Sequence, residues 1–264
     1  MMQHYALRTA VTIALLGASM NALAQWQEGD FSGELNWQGT VTQNRNPWSW
    51  AQGALPDIGT LNQTGLQSEG RQVVWHNLLT QTPLLVGKTE RLMPAGRAGV
   101  SPVIQFGQNM PGFSLTWKGA GIAELTLPVT GKEAGSSATG TLTLQLRVAG
   151  ILTATTGTTR RGYGVIASDA DDGNGVPPAN NGLSYRAAVS ALQAMAGADA
   201  PTWLSGALAD GGTVALNALH DGQNQATGAM YGAEILPGSG TLRFPAGKVP
   251  EQWRASLPIR ITYR

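Results

Sequence analysis

The sequence runs to 264 residues with 17 Lys and Arg against 16 Asp and Glu, and charged residues make up only 12% of it, about half the usual share for a globular protein. So neutral and charge-poor a chain argues against nucleic acid and anionic membrane as partners and suits a protein that packs against copies of itself. It has no cysteine, which removes thiolate nucleophiles, zinc–cysteine sites, haem attachment and disulfides together.

Met1 to Arg8 carries a single positive charge, and Thr9 to Met20 is apolar but too short to span a bilayer. Ala22-Leu23-Ala24 then supplies the small-x-small pattern of a cleavage site, so residues 1–24 read as a signal peptide and the mature chain as beginning at Gln25. Its only charged side chain is Arg8, which leaves a mature chain of equal and opposite charges. No later stretch is apolar enough to anchor in a membrane, and the mature protein is expected to be soluble once exported.

Phe31 to Val41 alternates over an unusually long run. Phe31, Gly33, Leu35, Trp37, Gly39 and Val41 lie on one face of an extended chain, opposite Ser32, Glu34, Asn36, Gln38 and Thr40. Glycine weakens a strand interior, so two of them on the apolar face ask for an explanation. Either this is the first strand of the protein's own sandwich with bulges or close contacts, or the face enters a narrow groove at close range.

Further strands are predicted over Gln72–Leu79, Thr82–Val86, Val103–Phe106, Phe113–Trp117, Ile122–Leu127 and Thr141–Val148, the last with near-perfect period two. Thr213–Leu219, Gly228–Ile235, Gly240–Phe244 and Leu257–Tyr263 complete the set. Gly or Pro interrupts these segments every ~8–12 residues, the spacing of an all-β sandwich. One region departs from the pattern. Asp169–Asn181 reads as a polar surface loop, and Leu183–Ala196 as a helix with Asn181 as its cap and Gly197 as its stop. Leu183, Ala187, Leu192 and Met195 would share its buried face, and Pro201 would open a second short helix. Residues from about 160 to 212 are therefore expected to form a helical insertion between sandwich strands.

Catalytic and cofactor signatures fail on inspection. Gly87-Lys88-Thr89 lacks the upstream glycine of a phosphate loop and follows a strand. Gly162-Tyr163-Gly164-Val165-Ile166-Ala167 fits a dinucleotide fingerprint in letters only, because a loop follows it instead of a helix. Asp169, Asp171, Asp172 and Asn174 lack the bidentate glutamate of a calcium loop. His76 and His220 have no metal-ligand spacing, and nothing pairs Glu90, Glu124 or Glu133 as the acid and base of a glycosidase. No metal or cofactor is expected, and no enzyme activity.

WQEGDFSGELNWQGTVT, NPWSWAQG, TPLLVGKTE and the ending LPIRITYR together resemble the K-eighty-eight-type fimbrial subunits, the kappa-class pilins of the chaperone–usher pathway. GIAELTLPV and RVAGIL extend the resemblance over most of the mature chain, least in 160–212. It implies an incomplete immunoglobulin-like sandwich, here 44–264, whose missing strand is donated first by a periplasmic chaperone and then, at the outer-membrane usher, by a neighbouring subunit. Residues 25–43 would be the donor segment, with Phe31, Leu35, Trp37 and Val41 filling pockets and Gly33 and Gly39 at points of close approach. Tyr263 would be the penultimate aromatic of the last strand, and the terminal carboxylate of Arg264 would meet basic residues of the chaperone. The product would be a surface fimbria that contributes to cell adhesion. In the resembled family the major subunit is itself a lectin with its ligand site near the helical insertion. Here Arg160, Arg161, Tyr163, Tyr185 and Trp203 are the groups in that stretch able to stack on and hydrogen-bond a host glycan.

Overall fold

The computed structural model describes residues 47–55, 58–59, 61, 67–93, 99–132, 138–168, 172–205, 208–220 and 226–264. All of them belong to the compact unit Gln43–Arg264. In chain order the strands are β1 (Trp48–Gln52), β2 (Gln67–Glu69), β3 (Gln72–Trp75), β4 (Thr82–Thr89), β5 (Pro102–Phe106), β6 (Ser114–Gly119) and β7 (Ile122–Gly131). After them come β8 (Thr139–Thr156), β9 (Thr159–Ile166), helix α1 (Tyr185–Ala196), β10 (Ala209–Ala215), β11 (Ala226–Ile235), β12 (Thr241–Pro245), β13 (Trp253–Ala255) and β14 (Ile259–Tyr263). The fold is all-β with a small helical insertion.

β8 is the spine. One edge pairs with β7 over Thr139–Arg147 and with β9 over Ile151–Thr156. The other pairs with β11 over Leu146–Thr155 and with β12 over Thr141–Thr143. Alternation predicts this strand only as far as Val148; it continues to Thr156 because the apolar run after Val148 is buried on both faces. Val148, Leu152 and Ala154 turn into the main core, whereas Ala149 and Ile151 turn into a second core roofed by α1. A strand covered on both faces reads as a continuous apolar segment. The main core lies between the large sheet and the separate pair β14–β5, around Ile104, Phe106, Leu125, Leu146, Leu242 and Phe244.

The insertion is a crossover. β9 and β10 pair in parallel, the arrangement that needs a long connection, and α1 lies on that connection. Both ends of the stretch 160–212 are thus sheet strands, and the helical part occupies the interval between them. α1 begins at Tyr185, two residues later than expected, capped by Ser184 accepting from the Ala187 amide at 3.4 Å. Asn181 instead sits in the short turn Ala179–Asn181 and donates its side-chain amide to the Gly119 carbonyl at 3.0 Å. Gly197 ends the helix as expected, with φ 54° and its N–H on the Gln193 carbonyl. Tyr185, Ala188, Leu192 and Met195 form the buried face, while Ala187 is exposed and Leu183 precedes the helix. The second helix is a single 3-10 turn, Thr202–Ser205.

The glycines of the supposed dinucleotide fingerprint have a packing reason. A Cβ on Gly162 would strike the Tyr185 ring, and one on Gly164 the Leu183 carbonyl, while Gly232 of β11 lies directly under Leu192 and Met195. The lobe can settle on the sheet because those positions carry no side chain. One other expected strand shortens and one shifts four residues toward the N-terminus. β3 stops at Trp75 because Asn77 adopts φ 57°, and β10 ends at Ala215, where the chain coils into the 3-10 turn Leu216–His220. The sequence pattern does not predict β1, β2, β9 or β13.

Two outcomes test this packing. Gly164→Ala drives a methyl into the Leu183 backbone and should cost roughly 1–3 kcal/mol in denaturant unfolding. The buried Tyr231 hydroxyl donates to the Gly175 carbonyl at 2.6 Å, and burial pushes its phenol well above the ordinary value of 10.0. The folded chain holds it neutral, so this contribution is intact below pH 10.0 and declines as the pH rises further. Tyr231→Phe should be less stable by about 1 kcal/mol at neutral pH, because the carbonyl loses its partner, yet lose less than the parent above about pH 10.

Candidate functional site

The last strand run carries an unusual burial pattern. From 253 to 263 every odd position is half-buried and every even one exposed, so Trp253, Ala255, Leu257, Ile259, Ile261 and Tyr263 turn inward without being covered. All of them pack against the main core. An inward row on an ordinary sandwich strand is buried; this one is left open to solvent along its length.

The backbone shows which edge is occupied. β13 pairs with β7 and β14 with β5. The carbonyls of Gln252 and Pro258 accept from Lys132 and Gly107 on that side, and Arg264 exchanges both main-chain bonds with Ser101. Main-chain groups alternate sides along a strand, so those of the odd positions point to the opposite edge, where no strand pairs among the described residues. β5 is treated differently. Its edge away from β14 is met by the loop 172–176: the Asn174 side chain donates to the Phe106 carbonyl at 2.9 Å and accepts from the Phe106 N–H at 2.8 Å. The Gly175 N–H donates to the Ile104 carbonyl at 2.9 Å. The polar loop foreseen at Asp169–Asn181 is therefore in part a strand substitute.

Beside the run lies a cavity of about 690 Å³, lined by Trp75, Leu84, Leu142, Phe244 and the inward side chains of Trp253, Ala255 and Leu257, among others. The large hydrophobic residues exposed among the described residues are Leu55 (56%) and Val249 (43%), and both stand at its mouth. The groove thus has an apolar floor, an apolar rim and a backbone edge that no strand pairs among the described residues.

At the other end the C-terminus is pinned. The Trp50 indole N–H donates to the Tyr263 hydroxyl at 2.7 Å, and Trp50 stacks on Trp48 with ring centroids 5.1 Å apart. The Arg264 guanidinium meets the buried Asp172 carboxylate at 3.0 Å, and Asp172 also accepts from the Ser168 amide and hydroxyl. Asp172, one of the acidic residues that fall short of a calcium loop in the sequence, is engaged with an arginine. The Trp48 indole donates to the Val100 carbonyl at 2.8 Å, beside the Ser101–Arg264 pair, so β1 starts at the pole where the chain ends.

The insertion residues are not assembled on one open face. Trp203 is buried and donates to the Thr89 carbonyl at 2.7 Å, and Tyr185 is buried in the same second core, where burial raises its phenol above the ordinary value. Arg160 is half-buried, donating to the Trp203 carbonyl at 3.0 Å and to Thr153 at 3.4 Å, with its Nε buried and unpaired. Tyr163 is half-buried over Gly211, and Arg161 is exposed. Gly87-Lys88-Thr89 closes β4, with Lys88 donating to the Asp199 carbonyl at 2.7 Å and Gly87 lying beneath the Trp50 ring. Phe31, Gly33, Leu35, Trp37, Gly39 and Val41 lie outside the described residues. Burial along 253–263 was the signal missing from the sequence, where IRITY reads simply as a strand.

Comparison with known proteins gives this groove its context. The sequence profile of the family "Fimbrial, major and minor subunit" matches residues 7–264. The chain belongs to this family. It is also similar to the K88 minor fimbrial subunit FaeI of Escherichia coli, with 35% identity over 237 residues, 89% of this chain and 90% of the relative. The family is one of fimbrial structural subunits and not of enzymes, and its members' place is the fimbrium at the cell surface. Among the described residues of this fimbrial subunit, no helix is long and apolar enough to cross a membrane.

The guard on β5 is open to test. Asn174→Ala leaves the Phe106 N–H and C=O without that partner and should cost about 1–3 kcal/mol, with faster hydrogen exchange at the Phe106 amide. Asn174→Asp keeps the acceptor and should protect that amide better than Asn174→Ala does.

Proposed function

We propose that this fimbrial subunit polymerises by donor-strand exchange, with residues 31–41 of one copy completing the sandwich of the next along the free edge of 253–263. The observation that carries the reading is the uncovered inward row from Trp253 to Tyr263 beside the cavity of about 690 Å³. An unpaired edge over apolar floor is a template for strand addition, in which the main-chain ladder supplies affinity and alternate side chains supply specificity. Phe31 to Val41 has the matching period, polar on one face and apolar on the other. Four buried apolar side chains at ~1.5–3 kcal/mol each amount to roughly 6–12 kcal/mol per junction before the cost of ordering.

The two poles of the domain support a direction. β1 starts at Trp48, beside Arg264, whereas the cavity lies at the Trp253 end of the run. A donor antiparallel to β14 brings the body of its own copy to the cavity pole, away from the pole where the receiving copy's extension departs. Head-to-tail contacts of that kind propagate as an open fibre. Before assembly a periplasmic chaperone would occupy the same edge and meet the C-terminus held by Asp172 and Ser101, and an outer-membrane usher would exchange it for the next subunit. The resulting surface fibre contributes to cell adhesion.

The test is deletion of Phe31–Val41 from the full-length chain, expressed with its chaperone and usher. Fibres in electron micrographs and detergent-resistant multimers should both disappear; fibres that persist would refute the mechanism.

A further inference from the structure

We propose that the incoming strand docks in one register, with Trp37 of the neighbouring copy seated in the cavity opposite Ala255 and Gly39 opposite Trp253. This rests on the donor-strand reading above and deepens it by naming the residue that selects the partner.

The groove is not uniform along its length. Trp253, Ala255 and Leu257 line the cavity, whereas Ile259, Ile261 and Tyr263 do not. The deep end therefore suits the bulkiest side chain of the incoming strand, which is Trp37. Matching apolar face to apolar face permits only shifts of two residues, because a slip by one turns every side chain to the wrong side. With an antiparallel strand, three placements keep Trp37 over the cavity.

Opposite Trp253, two indoles would stand side by side, and Gly39 would fall beyond the run at the exposed Glu251. Opposite Leu257, Trp37 would crowd a second large side chain while Gly39 faced Ala255 across a gap. Opposite Ala255, large meets small at three of the five opposed pairs: Trp37 against Ala255, Gly39 against Trp253 and Gly33 against Ile259. Leu35 against Leu257 and Phe31 against Ile261 form apolar pairs, and of the three placements this one has the most large–small matches. Directly opposed side chains sit about 4.5–5.5 Å apart at Cβ, so a large side chain facing a small one fills that space while two small ones leave it empty. Ala255 is the one inward position of 253–263 without a large side chain. Trp37 is then the anchor, and the two glycines mark where the floor rises to meet the strand. Val41 would leave the groove at its mouth, where Val249 is exposed.

The experiment is a size swap in the full-length chain, expressed with chaperone and usher and read as a ladder of detergent-resistant multimers. Ala255→Trp should abolish the ladder, and adding Trp37→Ala in the same chain should restore it; adding Phe31→Ala or Leu35→Ala should not. Independently, Gly39→Leu should abolish the ladder and Trp253→Ala should restore it, so that a folding defect in one variant does not decide the matter. Rescue by Leu35→Ala or Phe31→Ala in place of Trp37→Ala, tolerance of Ala255→Trp, or failure of both designed pairs would overturn the register. A ladder that survives deletion of 31–41 would instead overturn the donor-strand reading itself, so the two failures are separable.

Discussion

A strand edge is a row of main-chain donors and acceptors, and every such row must be paired, covered or left in water. The smaller sheet of this subunit is organised by that requirement. β5 has β14 on one edge and Asn174 and Gly175 on the other, so its groups are met on both sides. The run 253–263 is met on one side only among the described residues, and its inward side chains are correspondingly half-open. Covering one edge with a loop while leaving the next exposed concentrates strand addition in one place. The aromatic contacts at Trp48, Trp50 and Tyr263 and the Arg264–Asp172 pair hold that exposed strand at its far end. A rigid acceptor spends less of its binding energy on ordering itself.

The helical lobe follows a second constraint, the close approach of helix to sheet. α1 packs on β8, β9 and β11 through Tyr185, Ala188, Leu192 and Met195, against strand positions occupied by Gly162, Gly164 and Gly232. Glycine costs stability in a strand, and here the loss is offset by burial of the facing side chains. The same packing takes Trp203 and Tyr185 away from solvent. Charge inside the protein is handled with equal economy. Glu234 is buried on β11, but Arg147 pairs with it at 3.3 Å and Gln81 donates to it at 2.8 Å, as a charge removed from water requires.

Periodicity revealed most of the strands, since alternation at Ile122–Leu127 and Thr141–Val148 directly reflects a sheet with one buried face. It was silent where both faces are buried, as along the second half of β8, and where glycine replaces side chains for packing, as in β9. The strand at β3 is expected too long and the one at β10 four residues too late, because a single left-handed Asn77 and a 3-10 turn leave little mark on an apolar pattern. In the insertion the helix was legible, but its cap was not: Ser184 and Asn181 are both good capping residues, and only the packing of Asn181 on Gly119 assigns them.

By itself the sequence determined the all-β class, the helical interruption, the exclusion of thiol and cysteine–metal chemistry, and the resemblance to fimbrial subunits. These depend on residue type and local spacing, which are written in one dimension. Tertiary structure decided that β13 and β14, in the run Trp253 to Tyr263, are paired along one edge only among the described residues, that an acidic loop guards β5, and that Trp203 and Tyr185 of the insertion are core. Whether an edge is paired and whether a side chain is covered depend on segments as far apart in the chain as Asp172 and Arg264. Such facts arise only when the chain is folded, because burial and pairing are properties of neighbours in space.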